Sequence, residues 1–187
     1  MTQTVGYMAQ ERLFEALKTH TFNIGLAESH LERLFPLAEE IRFKEDQTIF
    51  RAGERSPYLY LLLSGTVCLE IRTPVYSVCV QALGPGEAFG WSSLLGQHYT
   101  AFQVRARESS VALRLDAEQL AAACREDPAF GFEMFRRVAE LLARRLRATE
   151  SRLGEFCGVT GSARAGRPAD CSSIDLGRRR RAMVRLS

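Results

Sequence analysis

Between Ile41 and Leu115 the chain is written in short segments whose apolar residues recur at every second position, which limits it to a core built from strands. Val67, Leu69 and Ile71 alternate with Cys68, Glu70 and Arg72, and Val78 and Val80 alternate with Cys79 and Gln81. Phe102, Val104 and Ala106, then Val111, Leu113 and Leu115, repeat the rhythm. Turn chemistry stops each segment: Glu45-Asp46, Ala52-Gly53-Glu54, Ser64-Gly65, Thr73-Pro74 and Gly84-Pro85-Gly86. Many short strands at regular spacing indicate an antiparallel sandwich or jelly roll, because a parallel sheet needs helical crossovers between its strands.

Helical periodicity flanks this region. Leu13, Phe14 and Leu17 form one stripe and Leu26, Leu31, Leu34 and Phe35 another, broken at Asn23-Ile24-Gly25 and at Pro36. Ser29, with Glu32 three residues on, predicts a capping box for the second helix, and Asp116 with Gln119 predicts one after the last strand. Pro128 opens a long helix reaching about Phe156. Its apolar positions Phe135, Val138, Leu142, Leu146, Thr149, Leu153 and Phe156 are spaced by three or four, a near-heptad seam with one stutter. Two readings are open for it: core packed back along the roll, or a seam that pairs with a second copy in a homodimer.

The fold class read from this order is α+β, mainly β: a double-stranded β-helix jelly roll flanked by N-terminal helices and a long C-terminal helix. The expected segments are 1–40 helical, 41–127 β roll with a glycine-punctuated stretch at 83–106, 128–156 long helix, and 157–187 a disordered Arg-rich tail.

Charge is unevenly placed. From Cys157 onward seven arginines stand against Asp170 and Asp175, giving +5, so with +3 overall the remainder carries −2. A basic DNA-reading face on the domain itself is therefore not expected. No apolar run approaches the roughly 20 residues of a membrane span, and Met1 to Gln10 lacks a basic segment followed by an apolar one. The expected location is cytoplasmic, without membrane contact.

Five cysteines include no C-x-x-C pair, which argues against a structural zinc site or a disulfide framework. A tight turn at Thr73-Pro74 would set Cys68 opposite Cys79, leaving either two reduced thiols on a sheet face or a redox-responsive bridge. His20, His30 and His98 lie on helices or in a loop without an H-x-H pair, and neither a G-x-S-x-G elbow nor a P-loop is present. No catalytic residue, metal ligand or cofactor is assigned.

Four motifs in register carry a resemblance. Ile49-Phe50-Arg51-Ala52-Gly53-Glu54, Tyr60 through Gly65 to Val67, Leu83-Gly84-Pro85-Gly86-Glu87-Ala88-Phe89-Gly90, and Val104-Arg105-Ala106 followed by Val111-Ala112-Leu113 together resemble the cyclic nucleotide-binding domain. That domain is the effector module of the catabolite activator protein and Fnr family. The resemblance covers roughly residues 10–156 and makes 83–106 the counterpart of the family's phosphate-binding cassette.

Cassettes that hold cyclic AMP or cyclic GMP place a Glu after the Phe-Gly pair and an Arg before one or two small residues. Here Trp91 stands at the Glu position, and Tyr99 or Thr100 at the Arg position. His98 is the nearest basic residue within the stretch, and Arg105 is expected to point outward from its strand. The resemblance implies a small-ligand pocket in the β roll lined by Gly86, Phe89, Gly90, Trp91, Ser92, Ser93, Tyr99 and Thr100. The residues themselves suggest a pocket plugged by Trp91, a pocket for another small ligand, or unorthodox cyclic-nucleotide binding.

The short helix expected to start within Phe89–Leu95 is read as offering free amides to an anion, with the Ser92 and Ser93 hydroxyls beside them. Relatives that regulate transcription follow the long helix with a winged helix-turn-helix, which residues 157–187 do not supply. The expected role is a non-catalytic sensor module without sequence-specific DNA binding of its own, the alternative being a Crp/Fnr-type regulator reaching DNA through a partner or its basic tail.

Overall fold

The computed structural model describes residues 2–54, 56–95, 99–100 and 102–156, without the side chains of 2–9 and 152–156. The tail expected at 157–187 therefore lies outside the described residues. Two helices, α1 (Thr2–Thr19) and α2 (Glu28–Leu34), and a 3-10 turn at Phe35–Leu37 precede the first strand. Eight strands follow: β1 (Ala38–Phe43), β2 (Thr48–Phe50), β3 (Tyr58–Ser64), β4 (Val67–Arg72), β5 (Ser77–Leu83), β6 (Ala88–Phe89), β7 (Gln103–Ala106) and β8 (Ser110–Asp116). A 3-10 turn, Trp91–Leu95, sits between β6 and β7, and α3 (Ala117–Glu126) and α4 (Pro128–Phe156) close the order.

The strands form two four-stranded antiparallel sheets, ordered β1-β8-β3-β6 and β2-β7-β4-β5. The first sheet has both faces covered, which explains why β3 reads as the unbroken apolar run Tyr58–Leu63. Leu59 and Leu61 turn toward the helices, joining Leu17, Leu34, Leu113, Leu115, Leu120, Phe130 and Val138. Tyr60 and Leu62 turn into the roll, joining Phe50, Val67, Leu83, Phe89 and Val104.

The double-sheet roll agrees with the expected fold class, with differences at the margins. β1 begins at Ala38, inside the segment expected to be helical, and the two-residue strand β6 is too short to show period two. Ser29 caps nothing: α2 starts at Glu28 with Ala27 as its N-cap and no side-chain cap, so Ser29 lies already inside the first turn. Asp116 does cap α3, its Oδ1 accepting the Glu118 and Gln119 amides at 2.9 Å each. Asp127 does the same for α4, accepting from Ala129 at 3.0 Å and Phe130 at 3.1 Å, and the Phe130 amide chiefly holds its carboxyl below the usual range.

The β4–β5 hairpin also differs from expectation. Its turn closes between Thr73 and Tyr76, with the Thr73 amide on the Tyr76 carbonyl at 2.8 Å, and a bulge beside Leu69 and Glu70 shifts the register. Cys79 thus lies opposite Glu70, and Cys68 opposite Ala82. The two sulfurs are nonetheless joined in a disulfide with Cα atoms 5.7 Å apart, so of the two readings the bridge is the one present.

The first compact unit ends at Leu146, within α4. Along the described part of that helix Phe130, Met134, Val138 and Leu141 are buried in the core, while Phe132, Phe135 and Leu146 are 67%, 45% and 60% exposed. Val138 therefore belongs to the core and not to an outward seam. Leu142 packs at the core's margin, and the side chain of Leu153 is outside the described residues.

Candidate functional site

The cassette begins with a self-tied turn. The Gly84 amide donates to the Glu87 carboxylate at 2.8 Å, and β3 holds the turn through Leu62, whose amide donates to the Glu87 carbonyl (2.9 Å) and whose carbonyl accepts from Gly86 (2.8 Å). The same Leu62 carbonyl meets His20 Nε2 at 3.2 Å. His20 Nδ1 accepts the Phe22 amide at 3.1 Å, so the ring is neutral with its proton on Nε2. Burial holds its pKa below the ordinary value, opposed by the bond to Leu62.

Two glycines are required by conformation, and Gly90 by backbone space as well. Gly86 has φ +85° and a Cβ there would stand 2.6 Å from Thr21 Oγ1; Gly90 has φ +82° and a Cβ would stand 2.4 Å from the Tyr58 carbonyl oxygen. Both sit where the cassette packs closely onto its supports, the turn after α1 for one and β3 for the other.

The remaining predicted ligand residues have different surroundings. Phe89 is a core residue, fully buried and stacked on Tyr60 with centroids 4.8 Å apart and planes 11° from parallel. Trp91 does not plug the roll: it is half-buried on the helical side, and the 91–95 turn packs against β3 and α3. Ser93 returns both its hydroxyl (2.7 Å) and its amide (3.2 Å) to the Gly90 carbonyl, so neither is left free as the helix-start reading expected. Ser92 is half-buried. Tyr99 is 77% exposed. His98 lies outside the described residues.

Thr100 is the most constrained. Its hydroxyl donates to the Arg51 carbonyl at 3.0 Å and lies 3.4 Å from that of Glu54. Its amide donates to the Glu54 carbonyl at 3.2 Å, and its own carbonyl accepts the Gly53 amide at 2.8 Å. The segment is sewn to the turn after β2. The hydroxyl proton is spent on carbonyl oxygens, so an anion arriving there would meet acceptors facing acceptors.

Two arginines of α4, unremarked in the sequence reading, fasten that helix to these elements. Arg137, buried, donates through Nη1 to the carbonyls of Phe22 (2.7 Å) and Ile24 (3.0 Å). Arg145 donates to the carbonyl of Ala88 in β6. Burial lowers both guanidinium pKa values, and Glu87 opposes the fall at Arg145. The available signal was that both charges interrupt the core-facing stripe Phe130, Met134, Val138, Leu141.

Arg105 points outward, as expected from strand alternation. With Arg51 and Arg72 it lines a cleft of about 280 Å³ beside the β4–β5 turn, on the opposite face of the sheet from the core residues Val104 and Leu69. No helix among the described residues is long and apolar enough to cross a membrane.

Comparison with known proteins agrees with this architecture. Residues 40–127 match the family described as cyclic nucleotide-binding domain. The chain is 32% identical over 131 residues to the cyclic AMP receptor protein of Thermus thermophilus, an alignment covering 69% of this chain and 58% of that protein. It thus spans less than two thirds of that relative's length. Among solved structures, the Thermus thermophilus catabolite activator protein superposes with a TM-score of 0.60 at 29% identity, over 73% of this chain and 63% of that one. A cyclic nucleotide-binding domain from Methylobacillus flagellatus superposes with a TM-score of 0.70 at 19% identity, over 83% and 89%, a likeness of fold alone. Two packed sheets, a cassette turn between β6 and β7, a long closing helix and the match over residues 40–127 together make that segment a member of the cyclic nucleotide-binding domain family.

Proposed function

We propose that the chain is a non-catalytic, cytoplasmic regulatory module of the cyclic nucleotide-binding type whose cassette does not hold cyclic AMP or cyclic GMP in the usual way. The observation that carries this reading is Thr100. At the position where an Arg would neutralise a cyclic phosphate, or directly beside it, the chain spends a buried hydroxyl on the Arg51 and Glu54 carbonyls. Residues 84–100 contain no Lys or Arg at all. Burying a phosphate without a charge-assisted fork leaves its desolvation uncompensated, at a cost of several kcal/mol.

The receiver of a signal in this reading is α4, tied to β6 by Arg145 and to the turn after α1 by Arg137. Its outward side supports a homodimer. Phe132, Phe135, Ala139 and Leu146 are exposed, Leu142 is half-buried, and Thr149, Leu153 and Phe156 continue the steps of three and four without a stutter. This seam replaces the expected one by substituting Phe132 and Ala139 for the buried Val138.

Trp91 is the only tryptophan and joins the cassette to the helical layer, so its emission reports movement of the 91–95 turn. Titration with cyclic AMP and cyclic GMP is expected to change neither that emission nor the melting temperature; a saturable change at micromolar nucleotide would sink the reading. Sedimentation equilibrium is expected to show a dimer for the wild type and a monomer for Leu146→Glu.

A further inference from the structure

We propose that the cleft beside the β4–β5 turn is a binding site for a small phosphoryl-bearing anion, separate from the cassette. Three arginines line it from three strand segments: Arg51 just beyond β2, Arg72 at the end of β4 and Arg105 in β7. Gln103, Thr48 and Ser77 add amide and hydroxyl groups to the lining. Arg is the side chain whose planar fork matches phosphate oxygens. At about 280 Å³ the cleft falls at the lower edge of ordinary small-molecule pockets, about 300–1,000 Å³, so the occupant is small.

The site is built from beneath. Glu70, 2% exposed, accepts from Gln103 Nε2 at 3.0 Å and from Arg105 Nε at 3.3 Å. That contact fixes Arg105 through its Nε and leaves the two terminal nitrogens as the fork. The Cys68–Cys79 disulfide joins β4 to β5, the strands that present Arg72 and Ser77. Two carboxylates face the cleft's cations: Glu70 below Arg105, and Glu54, whose Oε1 lies 3.5 Å from Arg51 Nη1. Arg72 joins no ion pair among the described residues. Among the described residues, three cations against two anions leave the cleft net positive by one, with Glu54 in competition with any ligand for Arg51.

That competition gives the test a change of sign. Calorimetric titration of the full chain with inorganic pyrophosphate at low ionic strength is expected to give saturable binding that weakens as salt is added. Arg72→Gln and Arg105→Gln should each weaken it by roughly tenfold. Glu54→Gln should tighten it by roughly threefold, an outcome that a misfolded variant cannot mimic. Arg42→Gln, on the other sheet and paired with Glu40, should leave affinity unchanged. The proposal is overturned by an absence of saturable heat in the wild type. It is equally overturned by binding that ignores Arg72 and Arg105, which would assign the heat to another basic segment such as Arg178 to Arg181. Neither result bears on the cassette, whose test is the cyclic nucleotide titration.

Discussion

Thr100 donates its hydroxyl to the carbonyl of Arg51 at 3.0 Å, so the cassette just before β7 and the turn after β2 are one hydrogen-bonded piece. Tyr99, its neighbour, is 77% exposed and shares none of this restraint. Two adjacent positions that the sequence leaves equivalent are therefore unequal to mutation. Thr100→Val should cost about 1 kcal/mol in urea unfolding by removing that bond, while Tyr99→Arg should stay within about 0.5 kcal/mol of wild type. Equal costs at the two sites would contradict the assignment.

The stack of Phe89 on Tyr60 makes a second position decisive. Phe89 is fully buried between Tyr60 and Phe50, and truncation would leave a cavity in a closed core. Phe89→Ala should lower the unfolding free energy by about 3–5 kcal/mol. Since the residue packs in the core of the roll, the loss should appear in chemical denaturation with no nucleotide present.

His20 makes stability depend on pH with a definite sign. Its ring is buried and neutral, with Nδ1 occupied by the Phe22 amide, and its folded pKa is lowered from 6.5. Below pH 6.5 the unfolded chain takes up a proton that the folded chain refuses. The stability this residue contributes is therefore full above that pH and is lost as pH falls toward the lower folded pKa. The slope contributed is at most about 1.4 kcal/mol per pH unit. Denaturation midpoints measured between about pH 7.5 and 5 should drop for wild type and drop less for His20→Gln. An unchanged slope in the variant would assign the effect to the carboxylates instead, where Glu133, held low chiefly by its bond to Arg136, adds stability of the same sign at lower pH.

The disulfide gives a fourth expectation. Cys68 and Cys79 close a loop with a sequence separation of 11, and loop-closure entropy for so short a loop amounts to about 2–3 kcal/mol. Reductant should lower the melting temperature of wild type, and Cys79→Ser should start from the lower value and not respond further. A wild type indifferent to reductant would mean the two thiols are unbonded in solution.

The fold was legible because period-two segments and turn residues report local chemistry that tertiary context reinforces. Asp116 reads as a cap and is one. Ser29 fails because nothing in the sequence distinguishes Ala27 as the residue where α2 begins. The seam of α4 was misassigned at Val138 for a similar reason: a strict heptad through Phe132 and Ala139 and a stutter through Val138 both fit the apolar positions, and only packing against the roll decides which face is taken. The candidate site was less legible still. Glycine positions and the missing cation are written in the sequence, but the commitment of Thr100 to carbonyls 46 and 49 residues away is not.

Arg137 and Arg145 stand eight residues apart on α4, about 12 Å along its axis, one gripping the turn after α1 and the other the cassette strand. A rod pinned at two points can neither swivel about one nor slide past the other. Any displacement of this helix must release both grips together, and the intermediate with one grip undone exposes a guanidinium to a half-open core. The two grips therefore reinforce one another, so release of this helix from the roll should be cooperative, both bonds lost in one transition.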